Sequence, residues 1–417
     1  MPEPRPLLSL DDALARLVDG ARAAGIHDVE SLATFDALGR VLARDVVSMI
    51  DVPPQDNSSM DGYALRAADV PAVGTVLPVS QRIAAGHVGT ALAPGTAARI
   101  FTGAQVPDGA DTIVMQEQTE AAGEGAVRFT AVPQSGQWIR RRGEDVHADA
   151  TVLRQGARLT PQAMGLAATV GAGTLKVVRR PRVALFSTGD ELVMPGTVAP
   201  DRLPPGAIYN SNRFTLRGLL LTAGCDVRDL GIVPDRLDAT RTALRVAAQD
   251  NDLILTSGGV SVGEEDHIRP ALEAQGRVQM WQVAMKPGKP LAFGAVRRPD
   301  GSEALFIGLP GNPVSSFVTF CLAVAPLLRA LQGADPSLPR ALPMRADFDW
   351  PRPDRRREFM RARLNAQGGV ELFANQSSGV LTSAVWADGL VDNPAGQAVA
   401  RGETVRYLPL SMLIAAC

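Results

Sequence analysis

The stretch Asn251-Asp252-Leu253-Ile254-Leu255-Thr256-Ser257-Gly258-Gly259-Val260-Ser261-Val262-Gly263-Glu264-Glu265-Asp266 decides how the chain is read. Leu253-Ile254-Leu255 is an apolar run that stops at a Ser-Gly-Gly turn, the pattern of a buried strand delivering a loop. Glycines let main-chain N–H groups approach an anion, and the hydroxyls of Ser257 and Ser261 add donors. The acidic trio that follows makes sense beside an anion when a divalent cation lies between. On local pattern alone, a strand-to-helix turn with a solvated acidic helix start is the simpler explanation. The neighbouring segments have to decide.

Residues 181–331 alternate strand-like and helix-like patterns. Strands are expected over 183–186, 227–233 and 253–255, and helices over 213–223 and 237–249, the first capped by Asn212 and stopped by Gly224. This βαβαβ order predicts a parallel sheet with helices on both faces, and such sheets bind ligands at the carboxyl ends of their strands. Three loops fall at that edge: Ser187-Thr188-Gly189-Asp190-Glu191, Pro234-Asp235 and the opening stretch. All carry polar or acidic residues, which raises the functional reading.

A further strand over 304–307 ends at Gly308-Leu309-Pro310-Gly311-Asn312-Pro313, ahead of a long apolar helix. Asn312 as N-cap with Pro313 at the first helical position is good helix-start chemistry and leaves free N–H groups facing forward. Lys286-Pro287-Gly288-Lys289-Pro290 sets two ammonium groups three residues apart. They form a polar hairpin with exposed lysines, or two point charges for a phosphate or oxyanion.

On the amino-terminal side, Ser9 with Asp12 resembles a capping box before Leu10, Leu14, Leu17, Val18 and Ala21 at helical spacing. A second helix-like pattern follows in Phe35, Leu38, Val41 and Leu42. Residues 73–132 break into short β-like runs split by glycine, a small all-β module. The cluster Arg140-Arg141-Arg142-Gly143-Glu144-Asp145 sits where mixed texture returns. Beyond a linker at 332–336, short runs predict a small β-barrel, with Arg355-Arg356-Arg357 and Arg361 as a solvated basic patch.

A chain of 417 residues sets a prior of about three domains. The boundaries are drawn at 1–52 with 138–180 (an elongated, discontinuous N-terminal domain), 53–137 (β-rich insertion), 181–332 (α/β) and 337–417 (barrel). The formal net charge of −2 speaks against bulk attraction to nucleic acid or membrane, leaving local basic pockets open. Three widely spaced cysteines suit a reducing compartment, so a cytoplasmic protein is expected. Four histidines scattered singly make a zinc site improbable on spacing grounds. The start has no apolar core for a signal peptide. The uncharged run 305–328 is cut at Pro310-Gly311-Asn312-Pro313 and predicts a buried core helix rather than a membrane span.

Nine words along the chain resemble the molybdopterin molybdenumtransferase family, which includes MoeA and the gephyrin E domain. They are Ser9-Leu10-Asp11-Asp12-Ala13; Asp36-Ala37-Leu38-Gly39-Arg40-Val41-Leu42-Ala43; Asn57-Ser58-Ser59-Met60-Asp61-Gly62-Tyr63-Ala64; Phe101-Thr102-Gly103-Ala104; Arg141-Arg142-Gly143-Glu144-Asp145; Ser187-Thr188-Gly189-Asp190-Glu191-Leu192; Thr256-Ser257-Gly258-Gly259-Val260-Ser261; Lys286-Pro287-Gly288-Lys289-Pro290; and Leu309-Pro310-Gly311-Asn312-Pro313-Val314-Ser315.

The resemblance implies an α/β multidomain fold with a central molybdopterin-binding domain. It also implies a reaction joining molybdate to the dithiolene of adenylylated molybdopterin, with Mg²⁺-dependent release of AMP. On the same basis, Ser257, Gly258, Gly259 and Ser261 hold the pterin phosphate, with Pro310, Gly311, Asn312 and Pro313 nearby. Glu191, Asp235 and Asp266 bind Mg²⁺ or position the anhydride. Lys286, Lys289, Ser315, Arg361 and Ser378 receive molybdate, although Arg357 also fits the arginine position and Ser377 competes with Ser378. Asp61 and Thr102 reach the site across a head-to-tail homodimer. Transient contact with a molybdopterin adenylyltransferase and with molybdoenzyme acceptors follows from the pathway. Two rivals share parts of this pattern. The adenylyltransferase needs little more than the 181–331 type of domain, and a non-catalytic scaffold could shed the acids and lysines that are all present here.

Overall fold

The structure, a computed structural model, describes residues 7–260 and 267–415. Ser261 and Asp266 therefore lie outside the described residues.

The central domain holds a six-stranded sheet made of β1 (Arg182–Thr188), β2 (Asp226–Val233), β3 (Leu253–Ser257), β4 (Gly276–Gln282), β5 (Pro290–Arg297) and β6 (Glu303–Leu309). Its order is β2-β1-β3-β6-β5-β4, with β2, β1, β3 and β6 parallel and β5 and β4 antiparallel at one side. The expected parallel sheet is thus extended by two antiparallel strands, because 276–297 turns back on itself instead of crossing over through a helix.

Alternation along the strands explains the two layers of core. Leu185, Leu255 and Ile307 join one cluster while Ala184, Phe186, Ile254 and Phe306 join the other. Successive side chains point to opposite faces, and both faces are covered. Helices α1 (Ser211–Thr222), α2 (Leu237–Ala248) and α3 (Ile268–Gln275) provide the cover together with α4 (Pro313–Leu331). α4 is apolar enough to cross a membrane by length and composition, yet it is entirely buried, as the sequence led one to expect. Its middle, Phe320–Val324, winds in the wider π register.

Two local readings need correction. The cap of α1 is Asn210, whose Oδ1 accepts from Arg213 N at 3.1 Å, not Asn212, which lies one residue inside the helix. The helix expected around Phe35 to Leu42 is a single 3₁₀ turn, Thr34–Asp36. Phe35 is 90 % exposed there, Gly39 turns the chain at φ +73°, and Val41 and Leu42 bridge to Arg158 and Val177. Apolar spacing that imitates a helix is overridden by pairing with remote strands.

The first helix, Leu10–Ala23, is capped by Ser9, whose Oγ accepts from Asp12 N at 3.0 Å. Leu10, Ala13, Leu17 and Ala21 bury its apolar stripe in the same core as the end of α4. Strand Val29–Ala33 pairs antiparallel with Thr174–Val178, tying 29–33 to the far side of the β-rich insertion. That insertion is a six-stranded sheet in which Gly62–Leu65 lies between Thr112–Met115, at the edge, and Ala97–Ile100.

The carboxyl-terminal segment contains β7 (Leu342–Ala346), β8 (Arg357–Leu364), β9 (Gly369–Leu372), β10 (Gly389–Asn393) and β11 (Thr404–Pro409). They pair in the circuit β8-β9-β7-β11-β10-β8, a closed five-stranded barrel that leaves none of the five without two neighbours. The short strand Met285–Lys286 runs parallel to the start of β8. This pairing stitches the lysine loop of the central domain to the barrel.

Candidate active site

In the central sheet the chain passes from β1 outward to β2 and then back to β3 on the other side of β1. The crevice at such a reversal is where open α/β sheets hold ligands. A cleft of ≈ 930 Å³ opens there. Thr188 at the end of β1, Ser257 at the end of β3 and Pro310 just beyond β6 form its floor.

The Gly258 turn shows why glycine is needed. Its φ is +87°, and a Cβ there would come within 2.8 Å of the Thr188 carbonyl oxygen. The Gly258 N–H donates to Leu309 O at 3.1 Å, clamping β3 to β6. The Ser257 hydroxyl is buried and shares a 3.1 Å hydrogen bond with that of Ser187. Both groups therefore build the loop in this state, rather than standing free as anion donors.

Eleven of the residues singled out from the sequence line this one cleft: Glu191, Ser257, Gly258, Lys286, Lys289, Pro310, Gly311, Asn312, Pro313, Ser315 and Ser378. Ser377 lines it too, so both candidate serines stand at the wall. Gly259 follows Gly258 at φ +64° without lining the cleft. Asn312 caps α4 with extended geometry, φ −65° and ψ 131°, with Pro313 behind it. The first turn of a long buried helix therefore faces the ligand space, where its unpaired N–H groups favour an anion.

The lysine loop owes its shape to close packing. A Cβ at Gly288, φ +107°, would approach Thr319 Oγ1 to 2.4 Å, so the loop lies directly on α4. Lys286 Nζ is 3.2 Å from Glu358 Oε1 and 3.4 Å from Asp354 Oδ2. Lys289 also lines the cleft and takes part in no ion pair among the described residues.

Arg361 is placed differently from what the resemblance implies. It does not line the cleft but lies beneath its wall, 1 % exposed, donating to Ser383 Oγ at 3.1 Å, Phe359 O at 3.4 Å and Ser377 O at 3.3 Å. Burial pulls its guanidinium down to about 10, which leaves it fully charged at neutral pH. Arg357 is no substitute, because it pairs with Asp392 and Asp11. The arginine at the cleft is Arg356. Of the expected solvated basic patch, Arg355 is exposed, whereas Arg356 and Arg357 are paired with carboxylates and Arg361 is buried. Remote segments supply Asp392 and the Ser377 carbonyl, while Asp354 lies only two residues from Arg356.

Lining residues that escape the sequence reading include Tyr209, Asn210 and Gln376, and Asn212 is read there only as a helix cap. Asn212 Nδ2 donates to Gly311 O at 2.7 Å, and Gln376 ties down β8 through Arg361 N and O. Asn210 Nδ2 and Asn212 Oδ1 are buried with no partner among the described residues, a cost of about 1–3 kcal/mol each. The Asn210-Ser211-Asn212 triplet at a helix start was the available signal.

Among the described residues no group of three His, Cys, Asp or Glu side chains converges as a metal cage. Mg²⁺ needs less: one or two carboxylates, with waters and substrate phosphates completing six oxygens. Glu191 at the cleft meets that requirement, and Asp235 sits on the adjacent strand-end loop, its N–H donating to Asp190 Oδ1 at 3.1 Å.

Asp61 and Thr102 stand apart from this cleft, in the β-rich insertion. Asp61 Oδ1 accepts from both Thr102 N and Thr102 Oγ1 at 2.8 Å. Those two bonds hold its carboxyl below the usual carboxylate range.

Fold and cleft together define an α/β protein with a polar, lysine-bearing cleft at a strand-order reversal, one side of it formed by the barrel domain. Residues 8–171 match the family model described as "MoeA N-terminal region (domain I and II)". Residues 184–330 match "Probable molybdopterin binding domain", and 343–410 match "MoeA C-terminal region (domain IV)". A protein of Haemophilus influenzae named molybdopterin molybdenumtransferase is 42 % identical over 327 residues, 78 % of each chain. Molybdopterin molybdenumtransferase 2 of Mycobacterium tuberculosis is 40 % identical over 373 residues, 86 % of this chain and 89 % of the other. The crystal structure of the molybdopterin biosynthesis moeA protein from Pyrococcus horikoshii superposes with a TM-score of 0.81 at 27 % identity, covering 97 % of this chain and 100 % of that one. The chain belongs to the molybdopterin molybdenumtransferase family.

Proposed function

We propose that this protein is a transferase of molybdenum cofactor biosynthesis that joins molybdate to the dithiolene of adenylylated molybdopterin and releases AMP. One observation carries the reading: a single cleft gathers the Ser257-Gly258 turn, the Asn312 helix start, Lys286, Lys289 and Ser378 from four separate stretches of chain. Molybdate is a dianion and the adenylylated pterin carries a phosphoanhydride. Both are met by converging cationic and hydrogen-bonding groups in a partly desolvated space.

In this reading Lys289, Ser315 and Ser378 receive molybdate, with the Lys286 ammonium beside them and the Arg361 charge behind the wall. The helix start at Asn312 faces the phosphates. Glu191 and Asp235, with Asp266 outside the described residues, hold Mg²⁺, which supplies charge neutralisation on the anhydride as AMP leaves. The acting species is a homodimer in which Asp61 and Thr102 of one chain complete the cleft of the other. Neither residue lines the cleft of its own chain, which supports that arrangement, as do exposed Phe35, Leu38 and Met49, apolar groups suited to a seam between copies. Buried Cys225 and Cys321, which form no disulfide among the described residues, accord with a reducing cytoplasm. There the substrate would arrive from a molybdopterin adenylyltransferase and the product pass to molybdoenzyme acceptors through transient contacts.

The test is turnover. Purified protein with Mg²⁺, molybdate and adenylylated molybdopterin should release AMP and yield cofactor that activates an apo-molybdoenzyme. Tight binding of the adduct without cleavage would make the protein a scaffold.

A further inference from the structure

Arg356 lines the cleft, yet the family resemblance directs attention to Lys286, Lys289 and Arg361. Its guanidinium is gripped by Asp354 through two parallel bonds, Nε to Oδ1 at 3.0 Å and Nη2 to Oδ2 at 2.9 Å. The same Oδ2 stands 3.4 Å from Lys286 Nζ. Lys286 is held on its other side by Glu358 Oε1 at 3.2 Å, while Glu358 Oε2 accepts from Trp350 Nε1 at 2.9 Å and from Asp354 N at 3.1 Å. Two cations and two carboxylates thus form one chain, Arg356-Asp354-Lys286-Glu358, that joins the lysine loop to the barrel.

The chain has a front and a back. Lys286 is the most exposed member at 40 %, and Glu358 at 1 % is the least. With Nε and Nη2 spent on Asp354, Arg356 Nη1 has no partner among the described residues. We propose that Arg356 is an anion-binding residue of this cleft, acting beside Lys286, and that Asp354 and Glu358 are positioning residues that aim both cations. The proposal rests on the reading of the cleft as a molybdate site.

The physical argument is preorganisation. Left alone, two neighbouring cations repel, and a lysine with four rotatable bonds disperses its charge over many rotamers. The acids remove the repulsion and fix the donors before the oxyanion arrives, so little reorganisation opposes binding. Because the four charges cancel, affinity depends on where the N–H groups point more than on net field. Arginine's planar fork can be gripped by two parallel bonds that fix the direction of its remaining N–H, whereas an ammonium at the same position is a point charge on a flexible stem with no such fixed direction.

The experiment is equilibrium binding of sodium molybdate to the full-length protein and to Arg356→Ala, Arg356→Lys and Glu358→Gln, with melting temperatures recorded alongside. Both Arg356 variants should bind about tenfold more weakly, the lysine variant nearly as badly as the alanine, since charge without the fork is insufficient. In a parallel assay of AMP release, Glu358→Gln should raise the KM for molybdate about fivefold and leave kcat at saturating molybdate unchanged, whereas a merely structural role would lower kcat and melting temperature together. Wild-type affinity in Arg356→Lys overturns the proposal even if the alanine variant fails to fold. Wild-type protein that binds no molybdate overturns the reading of the cleft itself. Binding by the wild type with unaffected Arg356 variants removes Arg356 alone.

Discussion

Arg361 donates a hydrogen bond to the carbonyl oxygen of Ser377, so a buried cation props up the cleft wall from behind. Its other partners are the neutral oxygens of Ser383 and Phe359. No carboxylate neutralises it among these contacts, and its charge is available to an anion on the far side of the wall. Arg361→Ala should lower stability by about 2–4 kcal/mol through lost packing and orphaned acceptors, and weaken molybdate binding as well. Thermal melting and equilibrium binding read the two effects. Unchanged values for both would reduce Arg361 to a spectator.

The Gly258 turn gives a backbone test. Gly258→Ala places a methyl group 2.8 Å from Thr188 O at φ +87°, a conformation that costs a non-glycine residue about 1–3 kcal/mol. The expected result is a lower melting temperature and weaker binding of the adenylylated substrate, measured by titration. Full affinity would show that the turn does not shape the phosphate end of the cleft.

Asp354 provides the pH dependence. The Arg356 hydrogen bond, and further off the Lys286 charge, hold its carboxyl well below the usual carboxylate range. Its folded pKa lies beneath its unfolded one, so its stabilisation is present above the unfolded value and disappears as pH falls through the folded value. Wild type should therefore lose more melting temperature than Asp354→Asn between about pH 5 and pH 3. Parallel acid curves would contradict the coupling.

Shared sites predict complementation. Asp61→Ala and Lys286→Ala homodimers should each be inactive. A mixed dimer concentrates both defects in one cleft and leaves the other intact, recovering about half of wild-type turnover. Verified mixed dimers that stay inactive would contradict the sharing of each cleft between two chains.

Much of this site was legible from local chemistry. The Leu253 strand breaking at Gly258, the Asn312-Pro313 helix start and the Lys286/Lys289 loop are each encoded in a few consecutive residues. All three meet at one strand edge. Where the sequence misled, the deciding partners were remote. Phe35 to Leu42 has helical spacing, but Val41 and Leu42 bridge to residues over a hundred positions away. In the Arg355-to-Arg361 run, nothing local distinguishes a guanidinium that lines a cleft from one that lies beneath it. The Ser377 loop makes that distinction, and only closure of the barrel brings it there. Asn210 displaced Asn212 as the helix cap because two asparagines a residue apart satisfy the same rule.

Diffraction from molybdate-soaked crystals, recorded across the molybdenum absorption edge, tests the placement of the metal oxyanion most directly. One anomalous peak per chain is predicted, inside the cleft and bounded by Lys289, Ser315 and Ser378. A peak elsewhere, or none at saturating molybdate, would contradict it.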